Sequence, residues 1–207
     1  MILGSALLWF GWFGFNGGSQ LAADGIAANA LLVTNVAAAC GGLAWLLIEW
    51  FTTSSKPTLI GSASGVVSGL VGITPAAGYV DVSGALVIGL GSGLVGYFGV
   101  VKLKKWLGYD DTLDVFGIHG VGGILGAILT GVFTAPSLGG TGGEDFAIAS
   151  QVAIQLEAVI ITVIVSAVVA FIALKVADLL VGIRVSEDEE REGLDVTSHS
   201  EKAYYIN

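Results

Sequence analysis

One histidine lies inside a long apolar stretch of this sequence, where an ionisable side chain is costly. His119 stands in the run Asp114-Val-Phe-Gly-Ile-His-Gly-Val-Gly-Gly123. A charged residue at the centre of a membrane costs about 2.5 to 3.5 kcal/mol on insertion scales, so it usually faces a pathway or a partner. Imidazole suits a pathway because it can stay neutral while it accepts or donates a proton. A structural histidine is the plainer alternative, and position alone leaves both open.

A carboxylate precedes this histidine by five residues. Asp114 falls near the start of the same apolar stretch. A carboxylate at the start of a helix can accept hydrogen bonds from the first backbone N–H groups and complement the helix dipole. We therefore predict that Asp114 caps the helix rather than touching a substrate.

Aromatic, small and polar residues are concentrated in the first apolar stretch. Its core reads Trp9-Phe-Gly-Trp12-Phe-Gly-Phe15-Asn-Gly-Gly-Ser19. The face of an aromatic ring attracts a desolvated cation and a serine oxygen accepts an N–H, so these residues suit a small ammonium-like ion. An aromatic belt at the membrane surface is the plainer alternative, and spacing does not decide between the two.

The motifs of soluble enzymes are missing from the sequence. Gly91-Ser-Gly-Leu-Val-Gly96 matches a dinucleotide-binding pattern, but it lies within an apolar stretch and not between a strand and a helix. Small residues that let helices approach one another explain it better. We find no metal-ligand cluster, no nucleophile and base pair and no phosphate-binding loop, so the sequence predicts no enzyme, no cofactor and no metal. With a net charge of −9, no nucleic-acid partner is expected either.

Composition indicates that membrane helices position these residues. Apolar residues make up 54% of the 207 residues and charged residues only 12%, against roughly 25% charged in a soluble domain. The mean hydropathy is +0.85. We predict an all-α polytopic membrane helix bundle with about six transmembrane helices, of which the third is short and the last is long. The six stretches are Ile2 to Gln20, Ala28 to Phe51, Thr58 to Ile73, Val82 to Leu103, Leu113 to Phe133 and Phe146 to Val181.

The placement of the basic residues predicts the orientation of these spans. Lysine and arginine occur between spans two and three, after span four and around the end of span six, whereas the other connectors carry only acids. By the positive-inside rule, the basic connectors and both termini of this chain are cytoplasmic. The sequence therefore predicts a multi-pass protein of the cell membrane.

The end of the chain differs in composition from the rest. From Glu187 onward it has seven acidic and two basic residues and few apolar ones. Such a segment cannot bury enough apolar surface to fold alone. We therefore divide the chain into a transmembrane region, residues 1–181, and a cytoplasmic tail, residues 182–207. Within the first region, residues 1–133 and the final long helix, residues 146–181, are distinct parts.

Four segments together resemble the ammonium transporter (Amt) family. They are the run Trp9 to Ser19, Gly72-Ile-Thr-Pro-Ala-Ala-Gly-Tyr79, Asp114 to Gly123, and Glu190-Arg-Glu-Gly-Leu-Asp195 in the tail. The matches follow the family's order over essentially the whole chain, and the last separates it from the related Rhesus proteins. The chain resembles helices six to eleven of an eleven-helix subunit, that is, the second of two inverted repeats plus the last helix.

The resemblance implies roles for the candidate residues. Trp12 and Ser19 would bind the substrate at an outer recruitment site, Phe15 would belong to an aromatic gate, and His119 would be one of two pore histidines. Asp114 resembles the repeat-related partner of a structural aspartate. The other pore histidine and the second gate phenylalanine belong to the family's first repeat, so this chain alone is expected to conduct no ammonium.

The function expected from the resemblance is ammonium or ammonia transport in the lipid bilayer, by a homotrimer. A signal protein of the PII type is a possible partner at the cytoplasmic face. The alternative is a membrane protein that does not transport but senses ammonium or acts as a scaffold through its tail.

Overall fold

The computed structural model describes residues 1–52 and 56–202, and within these ranges the chain forms helices and no strands. Each of the six predicted stretches contains a long helix, which confirms the all-α helix bundle. Most ends lie within three residues of the predicted ends, but α4 ends five residues early and α6 begins nine residues late, because π-helical turns occupy most of the difference. Their bounds are α1 Ile2–Gly18, α2 Gly25–Thr52, α3 Leu59–Ile73, α4 Val82–Phe98, α6 Gly122–Phe133 and α7 Ile148–Val181.

Two of these helices are extended by π-helical turns. After α4 comes the first π segment, Gly99–Leu103, and then the short helix α5, Lys104–Leu107. The second π segment, Phe116–Val121, leads directly into α6. Helix α4 with its extension therefore runs four residues beyond the predicted end, until Gly108 adopts a left-handed conformation with φ of 65°. Glycine takes this conformation without steric cost and is a common helix terminator.

Three polar residues cap the starts of α2, α3 and α4. Asp24 accepts hydrogen bonds from the backbone N–H of Ile26 (2.9 Å) and Ala27 (3.0 Å) at the start of α2. The bond from Ala27, more than any other contact, lowers the pKa of Asp24. Thr58 accepts from the N–H of Gly61 at the start of α3. Asp81 caps α4 in the same way, which lowers its own pKa. Each cap satisfies donors that would otherwise lack a partner.

Helix length agrees with a membrane protein. Among the described residues, four helices are long and apolar enough to cross a membrane: Gly25–Thr52, Val82–Leu107, Phe116–Phe133 and Ile148–Val181. Helix α1 has 17 residues and α3 has 15, fewer than the roughly 20 that span the hydrocarbon core. The short third helix is as predicted. Most of α3 is buried between its neighbours, so it is a central packing element.

The centre of the bundle consists of α2, α3 and α4, with α1 and α6 against them. Their backbones approach closely: a Cβ atom added at Gly65 in α3 would lie 2.5 Å from the carbonyl oxygen of Gly41 in α2. This contact confirms that the small residues serve helix packing. The same holds for the apparent dinucleotide motif, since a Cβ at Gly93 would lie 2.5 Å from the same oxygen.

The chain divides into two compact units, Met1–Val159 and Ile160–Asn207, with the boundary inside α7. In the second unit, α8 (Glu187–Glu192) begins with a capping box between Ser186 and Glu189. The Ser186 hydroxyl lowers the pKa of Glu189. Helix α9, Leu194–Thr197, follows. The division at residues 181 and 182 stays a prediction, and the last part of the predicted tail, after Lys202, lies outside the described residues.

Candidate functional site

Trp12 is fixed in orientation by a hydrogen bond to a neighbouring helix end. Its indole Nε1 donates to Thr74 Oγ1 at 2.8 Å, and the Thr74 hydroxyl donates in turn to the carbonyl oxygen of Leu70 at 2.7 Å. The half-buried indole also packs against a small apolar cluster formed by Val67, Val71 and Ile118. Trp12 is therefore part of the bundle's packing, and it is more than a member of an aromatic belt at the membrane surface.

Phe15 projects from the same helix one turn later. Its ring meets that of Trp12 edge to face, with centroids 5.8 Å apart and an interplanar angle of 67°. The side chain is 63% exposed. Phe15 lines two neighbouring cavities. The first, of about 380 Å³, is almost entirely apolar and also contains Trp12.

The second cavity lies at the C-terminal end of α1 and has a volume of about 420 Å³. We call it the Ser19 cavity. Ser19 contributes its hydroxyl, which donates to the carbonyl oxygen of Phe15 at 2.7 Å. With its hydrogen engaged there, the Ser19 oxygen is left as an acceptor. The cavity is lined by Phe15, Asn16, Ser19, Gln20, Ile26, Ala30, Thr74, Pro75, Ala77, Gly78, Tyr79 and Thr141.

His119 lies in the second π segment and is exposed. Within the described residues its imidazole forms no hydrogen bond, so none of these residues satisfies it as a structural histidine. The preceding residue, Ile118, is buried and belongs to the apolar cluster against which Trp12 packs. One cluster thus connects the Trp12 region of α1 with the segment that carries His119.

Close backbone contact holds this segment against the first π segment. A Cβ atom added at Gly117 would lie 2.9 Å from the backbone nitrogen of Val100 and 3.0 Å from the carbonyl carbon of Gly99. π-helical turns are rare and are found frequently at functional sites. Here the turn contains the only histidine of the apolar spans.

The prediction that Asp114 caps this helix is wrong. The cap is Asp111, whose carboxylate accepts hydrogen bonds from the backbone N–H of Val115 and of Phe116, both at 2.8 Å. Asp114 instead adopts a left-handed conformation with φ of 57° and pairs with Lys104, whose Nζ lies 2.8 Å from its carboxylate. The chain reverses between Asp111 and Asp114, which places the earlier carboxylate over the free N–H groups. The role of Asp114 near a pore stays a prediction.

Sequence reasoning missed two polar residues of this region. Thr34, inside an apolar helix, binds the side chain of Asn16, and Thr74 binds Trp12. Thr74 belongs to one of the four family-like segments, but nothing in its sequence context indicates an indole partner. Thr34 has no sequence signal at all.

The groups that line the cavities at α1 suit a small cation better than a metal ion. Within residues 1–52 and 56–202, no three His, Cys, Asp or Glu side chains lie close enough to share a metal ion. The cavities at α1 offer instead aromatic rings and neutral oxygen acceptors. Ring faces and single acceptors attract a cation that itself carries N–H donors.

The chain matches known proteins over nearly its whole length. The family model described as Ammonium Transporter Family matches residues 1–204. An ammonium transporter of Aquifex aeolicus is 52% identical over 204 residues, which cover 99% of this chain and 48% of that protein. Among solved structures, Saccharomyces cerevisiae Mep2 is 41% identical with a TM-score of 0.81, covering 91% of this chain and 44% of Mep2.

A second solved structure, described as a sensor Amt protein, has a TM-score of 0.86 at 31% identity. The match covers 94% of this chain and 47% of that one. The chain spans about half the length of the curated relatives it matches.

Proposed function

The chain belongs to the ammonium transporter family, and from this we propose that it forms one wall of a transmembrane pathway for ammonium. Trp12 and Ser19 bind the ammonium ion on either side of Phe15, which belongs to the gate, and His119 lines the pore. Membership of the family makes it an integral membrane protein. Its orientation with both termini in the cytoplasm, its assembly as a homotrimer and its binding of a PII-type protein are parts of the same proposal.

One observation carries this proposal: the Phe15 ring and the Ser19 oxygen line the same cavity, with Trp12 directly behind Phe15. A cation that enters the cavity loses part of its hydration. A ring face contributes about 0.5 to 2 kcal/mol toward replacing it. The Ser19 oxygen accepts an N–H because its own hydrogen is used by Phe15. This combination suits NH4+, which carries both a positive charge and N–H donors.

Passage beyond Phe15 requires the loss of the charge. An apolar pore disfavours any ion, so NH4+ gives up a proton and crosses as a neutral species. The His119 imidazole can accept and pass on a proton while returning to its neutral form. Sodium and potassium ions have no proton to lose and are held back.

Transporters built from inverted repeats place the pathway at the interface between the repeats. The exposed Phe15 ring and the exposed His119 both agree with a second wall that this chain does not supply. We therefore expect flux only when the chain is combined with a first repeat.

Proteoliposomes test this proposal. The chain is reconstituted alone and after co-expression with the first repeat of a related transporter, and an ammonium gradient is applied while the internal pH is recorded. We expect an ammonium-driven pH change, not reproduced by potassium, with the combined protein only. No flux from a combined protein that assembles correctly would contradict the proposal, and selective flux from the chain alone would contradict the one-wall arrangement.

A sensor is the second candidate, and the similarity to the sensor Amt protein favours it. In that case the tail with its acidic helix α8 would bind a partner in response to ammonium. Partner binding and flux are measured in the same preparation. Binding that depends on ammonium, together with an absence of flux, would favour the sensor over the transporter.

A further inference from the structure

Asn16 is a buried polar residue that has no role in the transport proposed above. It is 6% exposed and follows Phe15 directly on α1. Its amide Nδ2 donates to Thr34 Oγ1 in α2 at 2.9 Å. Asn16 also lines the Ser19 cavity. A buried amide that has one partner and borders a cavity has hydrogen-bonding capacity left for a ligand.

The hydrogen bonds of Thr34 determine which end of the amide is available. The Thr34 hydroxyl donates its only hydrogen to the carbonyl oxygen of Ala30, at 2.6 Å. Its oxygen can therefore only accept from Asn16, so the NH2 group of the amide must point toward Thr34. The other end, the carbonyl oxygen Oδ1, receives no hydrogen bond within the described part of the chain.

We infer that Asn16 Oδ1 is a second hydrogen-bond acceptor for the cation in the Ser19 cavity, acting together with Ser19 Oγ. The inference rests on the proposed function and adds a binding residue to it. In both residues a donor hydrogen is engaged inside the protein: Thr34 Oγ1 accepts one from the Asn16 amide, and the carbonyl oxygen of Phe15 accepts the one from the Ser19 hydroxyl. The cavity therefore presents two acceptors in fixed orientations.

Two neutral oxygens match an ammonium ion better than a carboxylate would. NH4+ has four N–H donors in a tetrahedral arrangement, so two oxygens and a ring face can replace much of its hydration. A carboxylate would hold the cation more strongly and disfavour release of the proton. Neutral acceptors bind it and still allow the next step.

Four variants test the inference in the protein combined with a first repeat. Asn16→Leu removes the acceptor at similar size, and Asn16→Asp keeps an oxygen there. Thr34→Val keeps Asn16 but removes the hydrogen bond that fixes the orientation of its amide. Thr130→Val is the matched control, because Thr130 is also buried and also donates to the carbonyl oxygen four residues earlier, but binds no amide.

Affinity is measured in two ways, as the ammonium concentration that gives half-maximal flux and as equilibrium binding of ammonium chloride by calorimetry. We expect Asn16→Leu to weaken both by about tenfold or more, as for the loss of a hydrogen bond to a charged group. Thr34→Val should weaken both by a smaller factor, and Asn16→Asp and Thr130→Val should not weaken them.

Unchanged affinity in a folded Asn16→Leu protein would overturn the inference, even if its maximal rate or melting temperature fell. If Asn16→Leu does not fold, the comparison of Thr34→Val with its control Thr130→Val takes its place. Equal ammonium affinities in these two variants would then overturn the inference. The binding measurement does not depend on flux. Ammonium binding without flux in the unsubstituted protein would contradict the proposed function and still test Asn16.

Discussion

Gly99 and Gly117 lie in direct backbone contact where the two π segments cross. A Cβ atom added at Gly99 would lie 2.9 Å from Cα of Gly117, and one added at Gly117 would lie 2.9 Å from the nitrogen of Val100. Only glycine fits on either side. Because His119 follows two residues later, this contact sets the position of the proposed pore histidine.

The first prediction concerns this contact. Gly117→Ala should lower the free energy of unfolding by about 1 to 3 kcal/mol, as other overpacked sites do, and should reduce flux by displacing His119. Gly123→Ala is the control, since its added methyl group would meet its nearest atom at 3.8 Å. Thermal unfolding in detergent and flux in liposomes measure both effects. Equal behaviour of the two variants would show that the π segments do not position His119.

The second prediction separates the ring of Trp12 from its hydrogen bond. Trp12→Leu should weaken apparent ammonium affinity by about 2- to 30-fold, the factor that corresponds to a cation–π contact. Thr74→Val removes the partner of the indole N–H but keeps the ring, so it should have a smaller effect. Trp106→Leu, which changes a tryptophan that is 80% exposed on α5, should have none.

Assembly should survive all three substitutions, which size-exclusion chromatography checks. Unchanged substrate dependence in a well-folded Trp12→Leu protein would return this residue to a purely structural role.

The third prediction concerns the cap of the His119 segment. Asp111→Ala should destabilise the protein by about 0.5 to 2 kcal/mol, because two backbone N–H groups lose their acceptor. Asp110→Ala is the control, since Asp110 is exposed and, in the described part of the chain, accepts only from the Thr112 hydroxyl. Urea unfolding, monitored by tryptophan fluorescence, compares the stability of the two variants. A loss of stability in the control as large as in Asp111→Ala would contradict the capping role.

Topology gives the fourth prediction. In a Cys40→Ser background, a cysteine in place of Gly143 should react only with reagent added outside, and one in place of Lys105 only with reagent added to the cytoplasmic side. Gly143 is suitable because an added side chain meets nothing within 4 Å, whereas the neighbouring Gly140 lies against the backbone of Thr134. Labelling of position 143 from the cytoplasm would contradict the six-span orientation.

Most of the bundle could be predicted because apolar stretches of membrane length leave few choices besides helices. The short α3 and the helix-packing glycines follow from the same reasoning. The π segments could not be predicted, since they leave no periodic signal, and the contact between Gly99 and Gly117 joins residues far apart in the sequence. Capping by Asp111 was missed for a similar reason, because the turn before Asp114 decides which carboxylate reaches the helix end.

The candidate site was predictable only in part. Trp12, Phe15 and Ser19 stand out as aromatic and polar residues in one apolar stretch, and the structure places Phe15 and Ser19 around one cavity. The hydrogen bonds that orient the site join residues 18 and 62 positions apart, Asn16 to Thr34 and Trp12 to Thr74. Such pairs depend on how helices pack, which a single sequence does not contain.

The most direct test of the account is the flux of a His119→Ala variant in the combined protein. The matched control is His199→Ala, which removes the exposed histidine of the tail. We predict that His119→Ala lowers ammonium flux by about 100-fold or more, at the low end of what a positioned proton-transfer group contributes, or lets potassium pass, while His199→Ala behaves as the unsubstituted protein. Unchanged ammonium flux and unchanged selectivity over potassium in a folded His119→Ala protein would contradict a pathway past His119.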